Sequence, residues 1–527
     1  MSSDSPLPTS NGDSKSADDT TILASLGYKQ ELKRHFTILE LFGFSFSLNA
    51  AAPAVAATLY YSIPYGGSSA MVWGWAVSSL FIMIIAMAMA ELGSAAPTSG
   101  GIYYWTYNYS SPRYRNILCW IVGYINTITY ISGVAGSTFA SASAIMAAAT
   151  IGSDGRFIPT IYQTYGVFIG ILVTCAVFAS CATRALARVQ NCITALNIIL
   201  VLVILIGMPA ATPAELKNTA KYVFGHFENL TPWPNGYAFI LSFLAPLWAV
   251  GGFDSGVHIS EEALNANVAV PWAMVSALGV DCTIGFAFQI ALAFCMGTDT
   301  IDILSSPVQQ PLSTILLNSL GKKGFLAVWT FIFIALYLGS VELMVATSRQ
   351  IFAFSRDGAL IFSPFLYNIN PTTGTPVRGV LFTAICVALL GLVTFAGPAA
   401  TGAIFSLGVV GQYTANSVPI AARVFGGQPF VPGPFSLGAF SIPIALTAVV
   451  WMLFMTVVLM FPSAPDPTAM TMNYTSVVFG GVLLLSVGYY YLPMYGGVHW
   501  FRGPIANVEL RKAAEEKDVY EGSTEKI

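Results

Sequence analysis

An acidic residue stands beside two glycines inside a long apolar stretch, WAVGGFDSGVHISEEALNANVAVP at residues 248–271. Asp254 lies where a helix that crosses a bilayer would have its middle, and Gly251 and Gly252 come just before it. A carboxylate at that depth costs about 2.5–3.5 kcal/mol on insertion scales. Since no Lys or Arg lies at a similar depth, we expect Asp254 to be protonated at rest or to face a wet cavity that admits a cation, such as a ligand's ammonium group. The alternative is a protonated carboxyl that caps a half-helix.

A second irregular stretch, GFSFSLNAAAPAVAATL at residues 43–59, places Asn49 and Pro53 near the middle of the first long apolar segment. Glycine and proline weaken the hydrogen-bond ladder of a helix, and in lipid the freed backbone groups need other partners. Broken helices that line a cavity offer amides to a carboxylate and carbonyls to a cation. The alternative is that Gly and Pro are simply frequent in membrane helices. Because the two breaks fall in the first and sixth segments, the sequence favours a pair of inverted repeats around a binding site.

Two further carboxylates lie deep in apolar segments, Asp281 and Glu342. A buried carboxyl can take up and release a proton, so either residue, or Asp254 itself, is a candidate to carry a coupling proton. The alternative for each is a neutral, hydrogen-bonded carboxyl that holds two helices together.

The composition is that of a membrane protein. The chain has 527 residues, of which 55% are hydrophobic and 9% charged, and its mean hydropathy is +0.69. Soluble proteins carry about a quarter charged residues. The seven cysteines form no C-x-x-C pair and no metal-ligand spacing, and no H-E-x-x-H, G-x-S-x-G or Walker motif occurs. We therefore expect no metal site, no cofactor and no enzyme, and we find no repeated filter segment typical of a channel.

The spacing of uncharged runs predicts an all-α membrane protein with about twelve transmembrane helices. A cytosolic, disordered tail is expected at 1–35, a transmembrane domain at 36–500 and a second cytosolic tail at 501–527. The twelve predicted spans, numbered in chain order, are 39–62, 68–91, 116–140, 161–181, 189–209, 236–259, 270–296, 325–349, 378–396, 400–422, 440–461 and 475–495.

The distribution of basic residues predicts that both termini are cytosolic. With the N-terminus inside, only Arg156, Lys217, Lys221, Lys322 and Lys323 of the 22 Lys and Arg fall outside. Two N-x-S/T sequons give an independent check, because this topology also places them outside. They predict glycosylation at Asn229 and Asn473, although sequons also occur by chance and Pro232 makes use of the first less favourable.

Five ordered blocks carry a resemblance to a known family. They are FGFSFSLNAAAPAVAATL, AELGSAAPTSGGIYYWTY, FENLTPWPNGYAFIL, GGFDSGVHISEEALNANVAVP and SRQIFAFSRDGAL. Together they resemble the fungal amino-acid, GABA and choline permease branch of the amino acid–polyamine–organocation superfamily, over about residues 30–500. The resemblance implies a five-plus-five inverted repeat with two extra C-terminal helices. It also implies alternating access driven by the proton gradient, in the plasma membrane by default and in the vacuole as the alternative.

The resemblance also implies roles for individual residues. The unwound part of span 1 would bind the substrate's carboxylate, although this chain has SLN where relatives are commonly glycine-rich. An aromatic residue after the glycines would close the site from outside, and some relatives carry a coupling lysine on span 5. Here span 5 has no Lys, so the resemblance favours Glu342 as the proton carrier. The residues so implied for the substrate are Ser47, Leu48, Asn49, Ala50, Gly251, Gly252, Phe253 and Asp254, with Tyr130 and Tyr413 as further candidates to line the cavity.

The substrate is only broadly indicated. Asp254 suits any cationic amine and the SLN segment suits a carboxylate, so a zwitterion of the GABA type fits best. Choline, thiamine or a polyamine is the alternative, and so is a sensor that binds a nutrient without moving it. Glu261 and Glu262 follow span 6, where we expect them to be solvated and able to pair with Arg349 or Arg356 as an inner gate.

Overall fold

The computed structural model describes residues 19–181, 183–305, 310–462, 464–468 and 472–507, with the backbone alone at 183–186. Within these ranges the chain forms helices and no β-strand beyond two isolated bridges. Ten of the helices described are long and apolar enough to cross a membrane. Two more complete the twelve predicted spans: Pro398–Phe425, with 28 residues, and the shorter apolar helix Thr475–Tyr491.

The spans keep the order predicted from the sequence. Spans 1 and 6 are interrupted, and Gly321, with φ of 69°, breaks the long helix that contains span 8. Span 1 comprises Ile38–Leu48 and Ala51–Thr58, and span 6 comprises Asn235–Leu241, Leu244–Ala249, Gly252–Asp254 and Ser255–His258. The others are Gly67–Ala95, Arg115–Gly152, Ile161–Cys181, Thr183–Ala211, Ala266–Cys295, Pro311–Arg356, Val377–Gly391, Pro398–Phe425, Ser441–Val458 and Thr475–Tyr491.

Spans 3 and 8 extend well beyond the predicted bounds. Span 3 has 38 residues, about 57 Å at the rise of an α-helix, whereas the hydrocarbon core of a bilayer is about 30 Å thick. The prediction ended span 3 at residue 140 because it cut the apolar run at one membrane thickness. The small residues that follow, ASASAIMAAA, continue the helix because they pack closely against neighbouring helices.

Packing between the spans follows the expected repeat. Spans 1, 2, 3 and 4 pack against spans 6, 7, 8 and 9 respectively, which is the pairing that two five-helix repeats produce. Spans 1, 2, 6 and 7 form one group, and spans 3, 4, 8 and 9 form a second, with span 10 against span 3. The two interrupted spans therefore meet at the centre of the molecule.

The segment before span 1 packs on the bundle, which differs from the expected disordered tail. In the part of that tail that the structure describes, Leu23, Tyr28 and Leu32 are buried. Residues 501–507 pack beside it, and the Asn507 amide N–H donates to the Gly27 carbonyl at 2.9 Å. We call this side of the bundle the terminal face; residues 1–18 and 508–527 lie outside the described ranges.

A glycine of span 7 packs directly against a tryptophan of span 2. A Cβ at Gly285 would lie 2.0 Å from the ring of Trp75, whose indole N–H donates to the Cys282 carbonyl at 3.1 Å. At Gly279, on the same helix, a Cβ would meet only the methyl end of Met83 at 3.4 Å. The contact at Gly285 therefore fixes the separation of spans 2 and 7.

We expect Gly285→Ala to destabilise the protein by about 1–3 kcal/mol, because the new methyl group overpacks against a buried indole that cannot move without losing its hydrogen bond. The thermal midpoint of the detergent-solubilised protein, followed by size-exclusion chromatography, measures the effect. Gly279→Ala is the matched control and should leave the midpoint unchanged. Equal midpoints for the two variants would show that the Trp75 contact does not set the helix spacing.

Candidate functional site

The break in span 1 is short and is held by one side chain. Only Asn49 and Ala50 leave the helical conformation, and Pro53 lies in the first turn of the second half-helix, where a missing N–H costs nothing. The Asn49 side chain donates from Nδ2 to the Ser45 carbonyl at 3.0 Å and accepts at Oδ1 from the Gly252 N–H at 2.8 Å. Asn49 thus joins the two broken spans.

The break in span 6 begins after Ala249 and includes both glycines. A Cβ at Gly252 would lie 3.0 Å from Asn49 Oδ1, and one at Gly251 would lie 2.9 Å from the Leu247 carbonyl. The carbonyl freed at Gly251 accepts from Nε2 of Gln412 on span 10. Small residues are therefore required here, because neighbouring backbone and amide groups replace the missing helical hydrogen bonds.

Asp254 follows this break and is fully buried. Its Oδ1 accepts from the Tyr130 hydroxyl at 2.9 Å and from Gln412 Nε2 at 3.0 Å. Its Oδ2 has no hydrogen-bond partner within the described residues, and no Lys or Arg of those residues forms an ion pair with it. The buried Asn416 side chain also interacts with the carboxylate, but it forms no hydrogen bond of normal geometry. One oxygen is therefore held in place, while the other has no hydrogen-bond partner among the described residues.

A cavity of about 80 Å³ lies at the two breaks. By the same measure one water needs about 10–15 Å³, so the space suits a ligand of roughly five to eight non-hydrogen atoms. Its wall combines both broken spans with spans 3, 8 and 10, each of which contributes one glycine. The lining residues are Leu48, Thr129, Tyr130, Gly133, Ser137, Leu247, Trp248, Gly251, Gly252, Asp254, Gly339, Leu343, Gly408, Val409 and Gln412.

The sequence-based site set divides into two groups. Leu48, Tyr130, Gly251, Gly252 and Asp254 line the cavity. The others are buried near it without lining it, and their roles stay predictions: Ser47, Asn49, Ala50, Phe253 and Tyr413.

Gln412 lines the cavity and holds Asp254, but the sequence analysis identified its neighbour Tyr413 instead. A polar amide side chain is costly to bury within a membrane span, and that cost was the signal that could have identified it.

An aromatic layer separates the cavity from the side opposite the terminal face. The ring of Phe405 packs on Trp248 with centroids 4.9 Å apart and on Tyr61 at 5.2 Å. Beyond this layer lie two larger cavities, of about 300 and 370 Å³, and Tyr60 and Tyr61 line both. Phe253, to which the resemblance assigns the outer gate, does not line the central cavity, whereas Trp248 does.

Glu342 belongs to a second polar cluster, close to the break in span 1. Its Oε1 accepts from Gln190 Nε2 at 2.8 Å, and the same amide donates to the Ser47 hydroxyl at 3.3 Å. Spans 1, 5 and 8 are thereby connected through one glutamine. The sequence analysis considered span 5 only for a coupling lysine, which it lacks, and did not identify Gln190.

Asp281 differs from the other two deep carboxyls. It is fully buried on span 7, and neither oxygen has a hydrogen-bond partner among the described residues. Asp281 lies on the buried face of span 7, as expected for a deep carboxyl. It does not line the central cavity.

Two ion pairs close the terminal face. Arg349 Nε lies 2.7 Å from Glu262 Oε1, and the Arg356 guanidinium contacts both oxygens of Glu261 at 3.0 and 3.1 Å. The predicted pairing is confirmed. The expected solvation is wrong, because all four side chains are at most 2% exposed.

Asp357 extends this closure to the two chain ends. It accepts from the hydroxyls of Tyr103 at 2.7 Å and Tyr28 at 3.1 Å, and from the Ile505 N–H at 2.9 Å. Burial raises the pKa of Asp357 to about 6, while Arg356 and these donors act in the opposite direction. Near neutral pH the donors therefore hold an ionised carboxylate, which ties the end of span 8 to both terminal segments.

The two predicted glycosylation sites have structural roles in loops on the opposite side. The Asn229 amide donates to the Trp233 carbonyl at 2.6 Å, and the Asn473 amide donates to the carbonyls of Leu459 and Phe461 at 2.7 and 3.0 Å. A sugar on either nitrogen would replace one of its N–H donors. Glycosylation at these positions stays a prediction.

Comparison with known proteins identifies relatives that are all permeases. The model of the amino acid permease family matches residues 36–483. An uncharacterized amino-acid permease of Schizosaccharomyces pombe is 37% identical, over 93% of this chain and 90% of its own. The GABA-specific permease of Saccharomyces cerevisiae is 36% identical, over 94% and 87%. An amino-acid permease of Arabidopsis thaliana is 29% identical, over 92% and 96%.

These relatives are permeases and not enzymes, and the matches extend over nearly the whole chain. The two interrupted spans, the cavity at their breaks and the length of the match lead to one assignment: the chain belongs to the amino acid permease family.

Proposed function

We propose that this permease imports a small amino acid of the GABA type by proton-coupled alternating access, with Asp254 as the receptor for the substrate's ammonium group. The observation that carries the proposal is the Oδ2 of Asp254, which has no hydrogen-bond partner among the described residues and lies in the wall of a cavity of about 80 Å³. An ammonium group at that oxygen would supply the counter-charge that no described Lys or Arg supplies. A buried charge is stable only when it is paired or solvated.

The other end of the substrate would be held by the second half of span 1. A helix leaves its first amides without intrahelical partners, and here the helix begins at Ala51, close to Leu48 in the cavity wall. Those amides suit a carboxylate. The cavity volume suits a linear zwitterion such as GABA, with about seven non-hydrogen atoms. The GABA-specific relative supports this choice over choline, thiamine or a polyamine.

The two gates are built from different chemistry. The terminal face is closed by buried ion pairs and the terminal segments, whereas a single layer of Trp248, Phe405 and Tyr61 covers the other side. The distribution of Lys and Arg supports a cytosolic terminal face. With that orientation, the substrate path is closed towards the cytosol and covered by one aromatic layer towards the outside. We propose the plasma membrane as the location of the protein, as the family resemblance implies.

Glu342 is the preferred carrier of the coupling proton. Its Oε1 is held by Gln190 and its Oε2 has no partner among the described residues, so the cluster can accommodate either protonation state. Through Gln190 it contacts Ser47, just before the break in span 1. Asp281 and Asp254 are the alternative carriers, but Asp281 lacks any such connection to the breaks.

The substrate is tested first by competition. In cells that lack their own carriers, we expect unlabelled GABA to suppress uptake of radiolabelled GABA, and choline and thiamine to leave it unchanged, because neither of these carries a carboxylate. Among common α-amino acids, the smaller ones should compete more strongly than the larger ones, since the cavity is small. Binding without accumulation in reconstituted vesicles would instead identify a sensor, and competition by choline would move the substrate to the cationic amines.

Asp254→Asn is expected to abolish uptake while surface expression stays normal, because the amide keeps the shape but loses the charge that pairs with the ammonium group. Losing one partner of a buried charge pair costs about 2 kcal/mol or more, which is a fall in uptake of at least about 30-fold. Asp281→Asn is the matched control, a fully buried carboxyl away from the cavity. Undiminished uptake by Asp254→Asn would remove this residue from the mechanism.

Glu342→Gln is expected to separate flux from pH. Wild-type uptake should rise as the outside is acidified, and the variant should transport along the substrate gradient without this stimulation, because its side chain cannot change protonation state. Initial rates at several external pH values measure the effect, and Asp281→Asn should keep the acid stimulation. The opposite pattern in the two variants would place the coupling proton on Asp281.

A further inference from the structure

A two-rung ladder of polar side chains joins span 3 to span 6. Asn126 and Tyr130 are four residues apart on span 3, and so are Asp254 and His258 on span 6, so each pair lies on one helix face. Tyr130 donates to Asp254, and Asn126 Nδ2 lies 3.3 Å from His258 Nε2. Between the rungs the rings of Tyr130 and His258 pack edge to face, with centroids 4.8 Å apart.

The partners of His258 assign one tautomer to its buried ring. The Asn126 amide donates to Nε2, so the ring proton is on Nδ1, which donates to the Ser99 carbonyl at 2.9 Å. Both nitrogens are used, and the residue is fully buried without lining the cavity. The orientation of the Tyr130 ring is therefore set by a side chain that does not touch the substrate.

The second partner of His258 leads to the inner gate. The peptide N–H of Ser99 donates to Glu261 Oε1 at 3.0 Å, and Glu261 forms the two-point ion pair with Arg356. Ser99 thus accepts a hydrogen bond from His258 through its carbonyl and donates one to the gate through its amide. A continuous series of contacts runs from Asp254 through Tyr130, His258 and Ser99 to Glu261.

We propose that His258 is the positioning residue that couples occupancy of the substrate site to opening of the inner gate. This inference rests on the proposed function. A substrate ammonium group at Asp254 competes with Tyr130 for the carboxylate and changes the position of the Tyr130 ring. The ring lies against the imidazole, whose shift is passed to Ser99 and weakens the contact that supports the Glu261–Arg356 pair. Asn126 holds the other side of the imidazole through Nε2. The ring therefore cannot rotate on its own, and any shift of the ring also moves Ser99.

Two substitutions separate the two sides of the imidazole. The amide of His258→Asn reaches the position of Nδ1 and can keep the bond to Ser99, whereas that of His258→Gln reaches the position of Nε2 and can keep the bond to Asn126. A coupling residue needs both bonds. We therefore expect both variants to lose the response of the gate to substrate, and only His258→Gln to loosen the gate at rest.

The reporter is Ser260→Cys, next to Glu261. Ser260 is fully buried, and its hydroxyl has no partner among the described residues, so a thiol replaces it with little disturbance. Cys181 and Cys192, the cysteines exposed in the described structure, are replaced by Ser. Modification by a charged, membrane-impermeant thiol reagent is measured in inside-out vesicles that hold the full-length protein, with and without saturating GABA or the amino acid that the competition panel selects.

In the reporter background with His258 intact, we expect the amino acid to raise the modification rate at least about fivefold, the lower end of typical coupling between sites. His258→Asn should keep the low resting rate and His258→Gln should raise it, and neither should respond to substrate. Both should lower the maximal uptake rate at least about fivefold and change KM little, because His258 does not line the cavity. Ser132→Ala loses a buried hydrogen bond on span 3 to the Ile404 carbonyl and should respond like the reporter protein with His258 intact.

A full substrate response in either His258 variant would overturn the coupling role and leave the proposed function in place. Loss of substrate binding in a variant that still reaches the membrane would also overturn it, because it would make His258 part of the binding site. If the reporter protein with His258 intact binds no amino acid in the panel, the proposed function fails, and the coupling role fails with it.

Discussion

The constraint on which this structure depends is that a polypeptide surrounded by lipid must satisfy its own backbone polar groups. Two helices are broken where that requirement is most severe, and other groups supply what the helical ladder lost. Asn49 receives the Gly252 N–H, and Gln412 donates to the Gly251 carbonyl. These two amide side chains come from spans 1 and 10. The break in span 6 is therefore stable only inside the assembled bundle. The same contacts between spans that stabilise the fold also form the binding site.

The same constraint explains why a small cavity can exist at the centre. Glycines 251, 252, 133, 339 and 408 line it, so that backbone comes close to the space without filling it. A carboxylate in this space loses the solvation of water, and it is retained because Tyr130 and Gln412 hold one oxygen. The other oxygen has no hydrogen-bond partner among the described residues, so its charge is not compensated. A site of this kind favours a small cation over a larger amine, because the cavity has a volume of only about 80 Å³.

The sequence predicted the elements whose signal is local. The glycine pair before Asp254 and the polar interruption in span 1 identified both breaks, and uncharged runs identified the spans. The prediction failed where a residue acts through a partner distant in the chain. Gln412 and Gln190 each lie among other polar residues of their helices, and only the packed bundle shows that these two meet Asp254 and Glu342. Residues 19–35 are polar enough to appear disordered, but Tyr28 and Leu32 are buried against the terminal face. The local sequence does not indicate that this surface is there to bury them.

The difference between the two gates follows from what each must exchange with water. The aromatic layer of Trp248, Phe405 and Tyr61 loses apolar contact when it opens, and that loss grows with the area exposed. The pairs Glu261–Arg356 and Glu262–Arg349 lose Coulomb attraction when they open, but water then solvates both charges, and this offsets the desolvation that the closed state imposed. Removing one partner of a pair without hydration would leave an unpaired buried charge. Each pair should therefore separate only as water enters. Because Glu261 also accepts the Ser99 N–H, the coupling proposed through His258 would reach the Glu261–Arg356 pair first, and the Glu262–Arg349 pair would follow as water enters.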